Sequence, residues 1–95
     1  MSARKLLEWS IRSLSNVEGI KEYIEANNPT AARKVLGEIR RAAHGLIDFP
    51  MIGHTGRRAG TRELVIDRFP YLIIYRLTVK KILIVAVIHQ SRKHR

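Results

Sequence analysis

Residues 60–92 decide the fold: Gly60-Thr61-Arg62-Glu63-Leu64, Phe69-Pro70-Tyr71, Tyr75-Arg76 and His89-Gln90-Ser91-Arg92 punctuate three strand-like segments in quick succession. Residues 63–67 alternate moderately between polar and apolar. Residues 71–77 are rich in aromatic and β-branched side chains, and residues 82–88 are continuously apolar, which predicts the central strand of a sheet. The connections, residues 67–70 and 78–81, lack the Asn-Gly signature of a tight hairpin. Residues 51–60, with three glycines and the pair Arg57-Arg58, predict a polar, mobile loop. Residues 90–95 form a basic tail too short for a helix of its own.

Upstream the period changes from two to between three and four. Residues 4–9 are short and apolar at their centre, a first strand ending where Ser10 caps a helix. Ile11, Leu14, Val17, Ile20 and Ile24 then share one helix face, with Arg12, Glu18, Lys21, Glu22 and Glu25 between them. Asn27-Asn28-Pro29 ends this helix and opens another, since asparagine caps well and proline is tolerated in a first turn. The second helix places Ala32, Val35, Leu36, Ile39, Ala43, Leu46 and Ile47 on one face. Gly37 costs about 1 kcal/mol relative to alanine in a helix interior, and a close approach of the two helices is the expected reason for it. Phe49-Pro50 closes the helical half.

The order is strand, helix, helix, strand, strand, strand. An α+β, two-layer domain follows: an N-terminal strand, an αα-hairpin, and a three-stranded antiparallel meander completing one small sheet. Ninety-five residues make one domain, residues 1–95, because no second core could be built from them.

Charge is distributed unevenly. Residues 1–50 hold 8 Lys/Arg against 6 Asp/Glu, and residues 51–95 hold 10 against 2, giving nets of +2 and +8 and the total of +10. A one-sided positive field favours an anionic partner, either nucleic acid or an acidic protein segment. The absence of cysteine excludes disulfides and thiol chemistry, which fits a reducing cytoplasm and would also fit a periplasm. The N-terminus has no signal-peptide core, and the apolar run 82–88 is far too short to cross a bilayer, so a cytoplasmic location without membrane contact is expected. The four histidines lie apart with no cysteine to complete a set, so no metal site is expected. Residues 53–60 lack the Gly-Lys-Ser/Thr ending of a phosphate-binding loop, and no cofactor is implied. No helix carries the basic cluster that direct reading of DNA requires.

The chain resembles the RelE/ParE superfamily of bacterial toxins from type II toxin–antitoxin modules. The pieces that carry the resemblance span nearly the whole chain. They are Trp9-Ser10, Asn28-Pro29 with Ala31-Ala32, Phe49-Pro50 followed by Gly53, Gly60-Thr61-Arg62-Glu63-Leu64, Pro70-Tyr71 with Tyr75-Arg76, and His89-Gln90-Ser91-Arg92. The resemblance implies a toxin held harmless by a cognate antitoxin, with one of two activities. RelE-like members cut messenger RNA on the ribosome; ParE-like members poison DNA gyrase. The ParE-like branch fits better, because Leu72 stands where RelE-like nucleases place an arginine beside the scissile phosphate. A third reading is an inactive member that acts only within its antitoxin complex.

If the chain were a nuclease, His89 would be the acid or base, and Arg57, Arg58, Arg62 and Arg92 could bind phosphate, with Arg62 and Arg92 the candidates for the catalytic set. The alternative for His89 is a strand-end histidine satisfied by hydrogen bonds. Arg62 and Arg76 would otherwise form ion pairs across the sheet with Glu63 or Asp67. Trp9, Tyr71 and Tyr75 could stack on bases or belong to the core. For an acidic antitoxin segment lying in an apolar groove, the expected contacts are Arg57, Arg58, Arg62 and Arg92.

Overall fold

The structure, a computed structural model, describes residues 4–92, Arg92 by its backbone alone. Strand β1 (Leu6–Trp9) leads into helix α1 (Ile11–Glu25), helix α2 (Pro29–Asp48), and strands β2 (His54–Thr55), β3 (Arg62–Val65), β4 (Tyr71–Leu77) and β5 (Lys81–His89). A single 3-10 turn, Gln90–Arg92, follows β5. The sheet order is β1-β5-β4-β3-β2. β1 runs parallel to β5, and every other neighbouring pair is antiparallel.

The predicted architecture stands, with corrections to its parts. β1 begins at Leu6 rather than residue 4, and β3 is shifted back by one residue at its start and two at its end. The loop of residues 51–60 contains a fifth strand, β2, paired as His54↔Glu63 and Thr55↔Arg62. β5 is interior, between β1 and β4, but the middle of the five is β4. The reason is the parallel return of β1, which covers the edge of β5 that a simple meander would leave open.

Both helix starts follow from their caps. The Ser10 hydroxyl oxygen accepts from the Ser13 N–H at 3.0 Å, and the Asn28 Oδ1 accepts from the Ala31 N–H at 3.0 Å. α2 carries the larger share of the helical core: Ala32, Val35, Ile39, Ala43 and Leu46 are buried at successive spacings of three or four. Val35, Ile39, Ala43 and Leu46 join Ile73, Tyr75, Ile82, Ile84 and Val87 of the sheet in one core cluster. α1 departs from its expected face. Val17, Ile20 and Ile24 pack against the core, but Ile11 and Leu14 are 88% and 55% exposed, and its one buried residue is Ser13.

An irregularity in β5 fixes how α1 sits. Ile74 pairs with Ala86 while Tyr75 pairs with Ile84, so Val85 is an extra residue on β5. The Ser10 hydroxyl donates to the Val85 carbonyl at 2.8 Å, and the Val87 N–H donates to the Asn16 Oδ1 at 3.1 Å. Two polar side chains at the start of α1 thus satisfy backbone groups that an irregular ladder leaves over.

Gly37 has no structural need for its missing side chain, because a Cβ there would meet nothing within 4 Å. The expected close helix approach at that position is absent.

Candidate functional site

The cationic and aromatic residues singled out from the sequence fall into two groups at opposite ends of β4. At one end, Arg62 pairs with Tyr75 across β3 and β4. The buried Tyr75 hydroxyl donates to the Pro50 carbonyl at 2.8 Å and accepts from the Gly53 N–H at 3.0 Å. The Arg62 guanidinium donates to the carbonyls of Met51, at 3.1 Å, and Gly53. Together they fasten the turn that follows α2. A Cβ on Gly53 would lie 2.6 Å from the Tyr75 hydroxyl, so only glycine fits there.

The same end holds the β2–β3 loop. The Gly56 N–H donates to the Thr61 carbonyl at 2.8 Å, the Thr61 hydroxyl donates to the Arg58 carbonyl at 2.6 Å, and the Arg57 N–H donates to the Glu63 carboxylate at 3.3 Å. Arg76 donates to the Ala59 carbonyl at 3.2 Å, beside Gly60 at φ +80°. Hydrogen bonds thus fasten this loop to itself and to β3 and β4. Neither Arg62 nor Arg76 forms the ion pair expected of it among the described residues. Backbone carbonyls of the loops took both guanidinium groups, and a pattern read along one strand could not reveal that. Arg57 and Arg58 are exposed at the loop tip.

At the other end of β4, His89 pairs with Tyr71. Their rings meet edge to face, with centroids 5.5 Å apart. The Ser91 N–H donates to His89 Nδ1 at 3.1 Å, which leaves Nε2 as the protonated nitrogen of a neutral ring. His89 is thus a strand-end histidine held by a hydrogen bond. Burial raises the Tyr71 phenol above its ordinary 10.0, and the neighbouring Tyr23 adds to the rise. Tyr71 and Tyr75 both belong to the core cluster, and Trp9 packs against it.

Arg62 and His89 therefore do not converge. Four residues of β4 separate their partners, about 13 Å along the strand at the usual rise. The Arg92 side chain lies outside the described residues. Leu72 is fully buried, at 0% exposure. Among the described residues no group of three or more His, Cys, Asp or Glu could hold a metal ion. No helix among the described residues is long and apolar enough to cross a membrane.

Two concave surfaces were not legible from the sequence. A groove of about 390 Å³ runs between the helices over Trp9, with Leu14, Val17, Leu36 and Ile39 as its apolar walls and Glu18, Arg40 and His44 at its margin. The exposure of Ile11 and Leu14 belongs to this region of α1. A larger cleft of about 720 Å³ lies between α1 and the ends of β4 and β5, lined by Asn16, Gly19, Tyr23, Tyr71, Val87 and His89 among others. The signal available in the sequence was a second stripe on α1, in which Ser15, Gly19 and Tyr23 follow one another at intervals of four.

Residues 7–94 match the family model described as ParE toxin of type II toxin-antitoxin system, parDE. The "Putative toxin Y4kP" of Sinorhizobium fredii (strain NBRC 101917 / NGR234) is 38% identical over 91 residues, which cover 96% of this chain and 94% of that protein. Toxin RelE2 of Caulobacter vibrioides is 32% identical over 84 residues, covering 88% of this chain and 93% of the relative. Among solved structures, the chromosomal ParDE TA system from P. aeruginosa contains a chain that superposes with a TM-score of 0.81. The superposition covers 90% of this chain and 96% of that one at 20% identity, a likeness of fold.

Proposed function

The chain belongs to the ParE toxin family of type II toxin–antitoxin systems, and on that premise we propose that it arrests bacterial growth by inhibiting DNA gyrase and is neutralised by a cognate antitoxin. The observation that carries the choice of gyrase over ribosome-bound messenger RNA is the burial of Leu72. Cleavage through the 2′-hydroxyl needs a cation beside the phosphate as negative charge builds in the transition state, and loss of one such group costs on the order of a hundredfold or more in rate. A buried leucine cannot supply it. The register that places Arg62 and His89 toward opposite ends of β4 also weighs against those two acting together on one phosphate.

The neutralising partner is an acidic, partly apolar segment. The groove between α1 and α2 offers it Trp9, Leu14, Val17 and Leu36, with Arg40 and His44 alongside. The exposed Arg57 and Arg58 offer a second, purely electrostatic contact. Binding then weakens only partly with salt, because apolar burial is not screened while exposed ion pairs are.

Induced expression, followed by separate readouts on purified protein, tests the reading. Growth arrest, relieved by the antitoxin, is expected together with loss of gyrase supercoiling and intact messenger RNA on programmed ribosomes. Codon-specific cleavage of that RNA with gyrase unaffected overturns the target. Unimpaired growth at confirmed expression overturns the toxin activity and favours an inactive member.

A further inference from the structure

The cleft between α1 and the ends of β4 and β5 is larger than the groove between the helices, and neither that groove nor the fastened loop uses it. We propose that it receives an aromatic side chain carried on an acidic segment of a partner protein. The inference goes beyond the reading of gyrase as target and does not depend on it.

Three observations carry it. The walls supply rings: Tyr71 and His89 already sit edge to face, and Tyr23 faces them from α1 with 79% of its surface in water. A large aromatic left this exposed beside two others is the arrangement of an interface anchor pocket, where a further ring gains edge or face contacts. The floor, Ile20 and Val87, is apolar. About 720 Å³ lies within the range of clefts that enclose a bound group.

The second observation is Gly19. It stands in the interior of α1, where glycine costs about 1 kcal/mol relative to alanine. A Cβ there would meet nothing within 4 Å, so no contact inside the chain requires the residue. Its absent side chain keeps the middle of the cleft open.

The third is charge. None of the described lining residues is Lys, Arg, Asp or Glu, so the described walls suit a neutral group. One cation stands beside it: Arg12 lies on the same face of α1 one turn before Ser15 and Asn16, whereas the exposed Arg68, two residues before Pro70, is ion-paired with the exposed Asp67 at 4.0 Å. A neutral ring between acidic neighbours matches both features, and the chain's net charge of +10 adds a long-range attraction. A nucleotide would also bring a ring with negative charge. Its phosphate is joined closely to that ring, and the described lining holds no cation to receive it.

The test is a titration of the full chain, followed by amide chemical shifts. The probe is an acetylated and amidated peptide of glutamates and aspartates around one tryptophan. The controls are the same peptide with alanine in place of tryptophan, and adenosine monophosphate. Saturable shifts are expected at Gly19, His89 and Val87, whose N–H is held by Asn16 in the cleft wall. The alanine peptide should bind at least tenfold more weakly. Gly19→Trp, which fills the cleft from within, and Tyr23→Ala, which removes an exposed ring, should each weaken the tryptophan peptide at least tenfold while circular dichroism stays unchanged. Because Tyr23 is outside the core, its variant keeps the test valid if Gly19→Trp fails to fold. Equal binding of the alanine peptide, no binding of either peptide, variants without effect, or stronger shifts of the same amides by adenosine monophosphate would each overturn the proposal.

Discussion

Arg62 and Tyr75 stand opposite each other on β3 and β4, and both side chains end on the turn that follows α2. An arginine and a tyrosine that look available for catalysis or stacking are occupied in holding the helical layer to the sheet. Gly53 is where they meet, since its N–H donates to the tyrosine and its carbonyl accepts from the arginine.

Tyr75→Phe should therefore destabilise the chain without changing its fold. The ring stays buried, but the Pro50 carbonyl and the N–H of the buried Gly53 lose their partner. Leaving a buried polar group unsatisfied costs about 1–3 kcal/mol. Urea unfolding of the two proteins measures the difference, and an unchanged midpoint would mean that water replaces the hydroxyl at no cost.

Glycines in this chain divide by what surrounds them, and substitution should separate them. Gly37→Ala should raise stability by about 1 kcal/mol, since the helix gains a better former and the added methyl meets nothing within 4 Å. Gly53→Ala should lower it by roughly 1–3 kcal/mol, because its Cβ would lie 2.6 Å from the Tyr75 hydroxyl and 2.8 Å from the Glu63 carbonyl oxygen. Thermal unfolding should move in opposite directions for the two variants.

Ser10→Ala removes two contacts at once. The hydroxyl caps α1 through Ser13 and donates to the Val85 carbonyl at the β5 bulge. Loss of an N-cap alone costs roughly 0.5–2 kcal/mol, so a value at or above the top of that range is expected. Amide exchange should quicken at the start of α1 and around Val85 together. Exchange quickened in the helix alone would show the bulge to be independent of the cap.

Tyr71 should make stability fall at alkaline pH. Its phenol is raised in the folded chain above 10.0, first by burial and then by Tyr23, so folding favours the protonated form. The contribution is fully present below pH 10.0, the unfolded value, and is lost as pH rises from there through the folded value. Tyr71→Phe should lose less stability than the parent as pH rises above 10.0. An equal loss in both proteins would assign the alkaline transition to other groups.

The sequence by itself determined what local chemistry controls. Asn28-Pro29 marked the start of α2, Ser10 that of α1, and the spacing of Val35, Ile39, Ala43 and Leu46 gave the buried face. The aromatic run predicted β4 over residues 71–77, the span the strand occupies. These signals survive because a cap reaches three residues and a helical or strand period repeats within one element. Tertiary structure decided everything that depended on a distant partner. Asn16 meets Val87 across 71 residues of chain, Tyr75 meets Pro50 across 25, and Arg62 meets Gly53 across 9. β2 is too short to show a period, and it exists because β3 offers it an edge. Arg62 read as a cation for a partner until backbone carbonyls claimed it, while Ile11 and Leu14 read as core until α1's placement on the β5 bulge left them in water. Which polar group is consumed and which apolar group is left open is settled only when separate segments compete for the same hydrogen bonds and the same buried space.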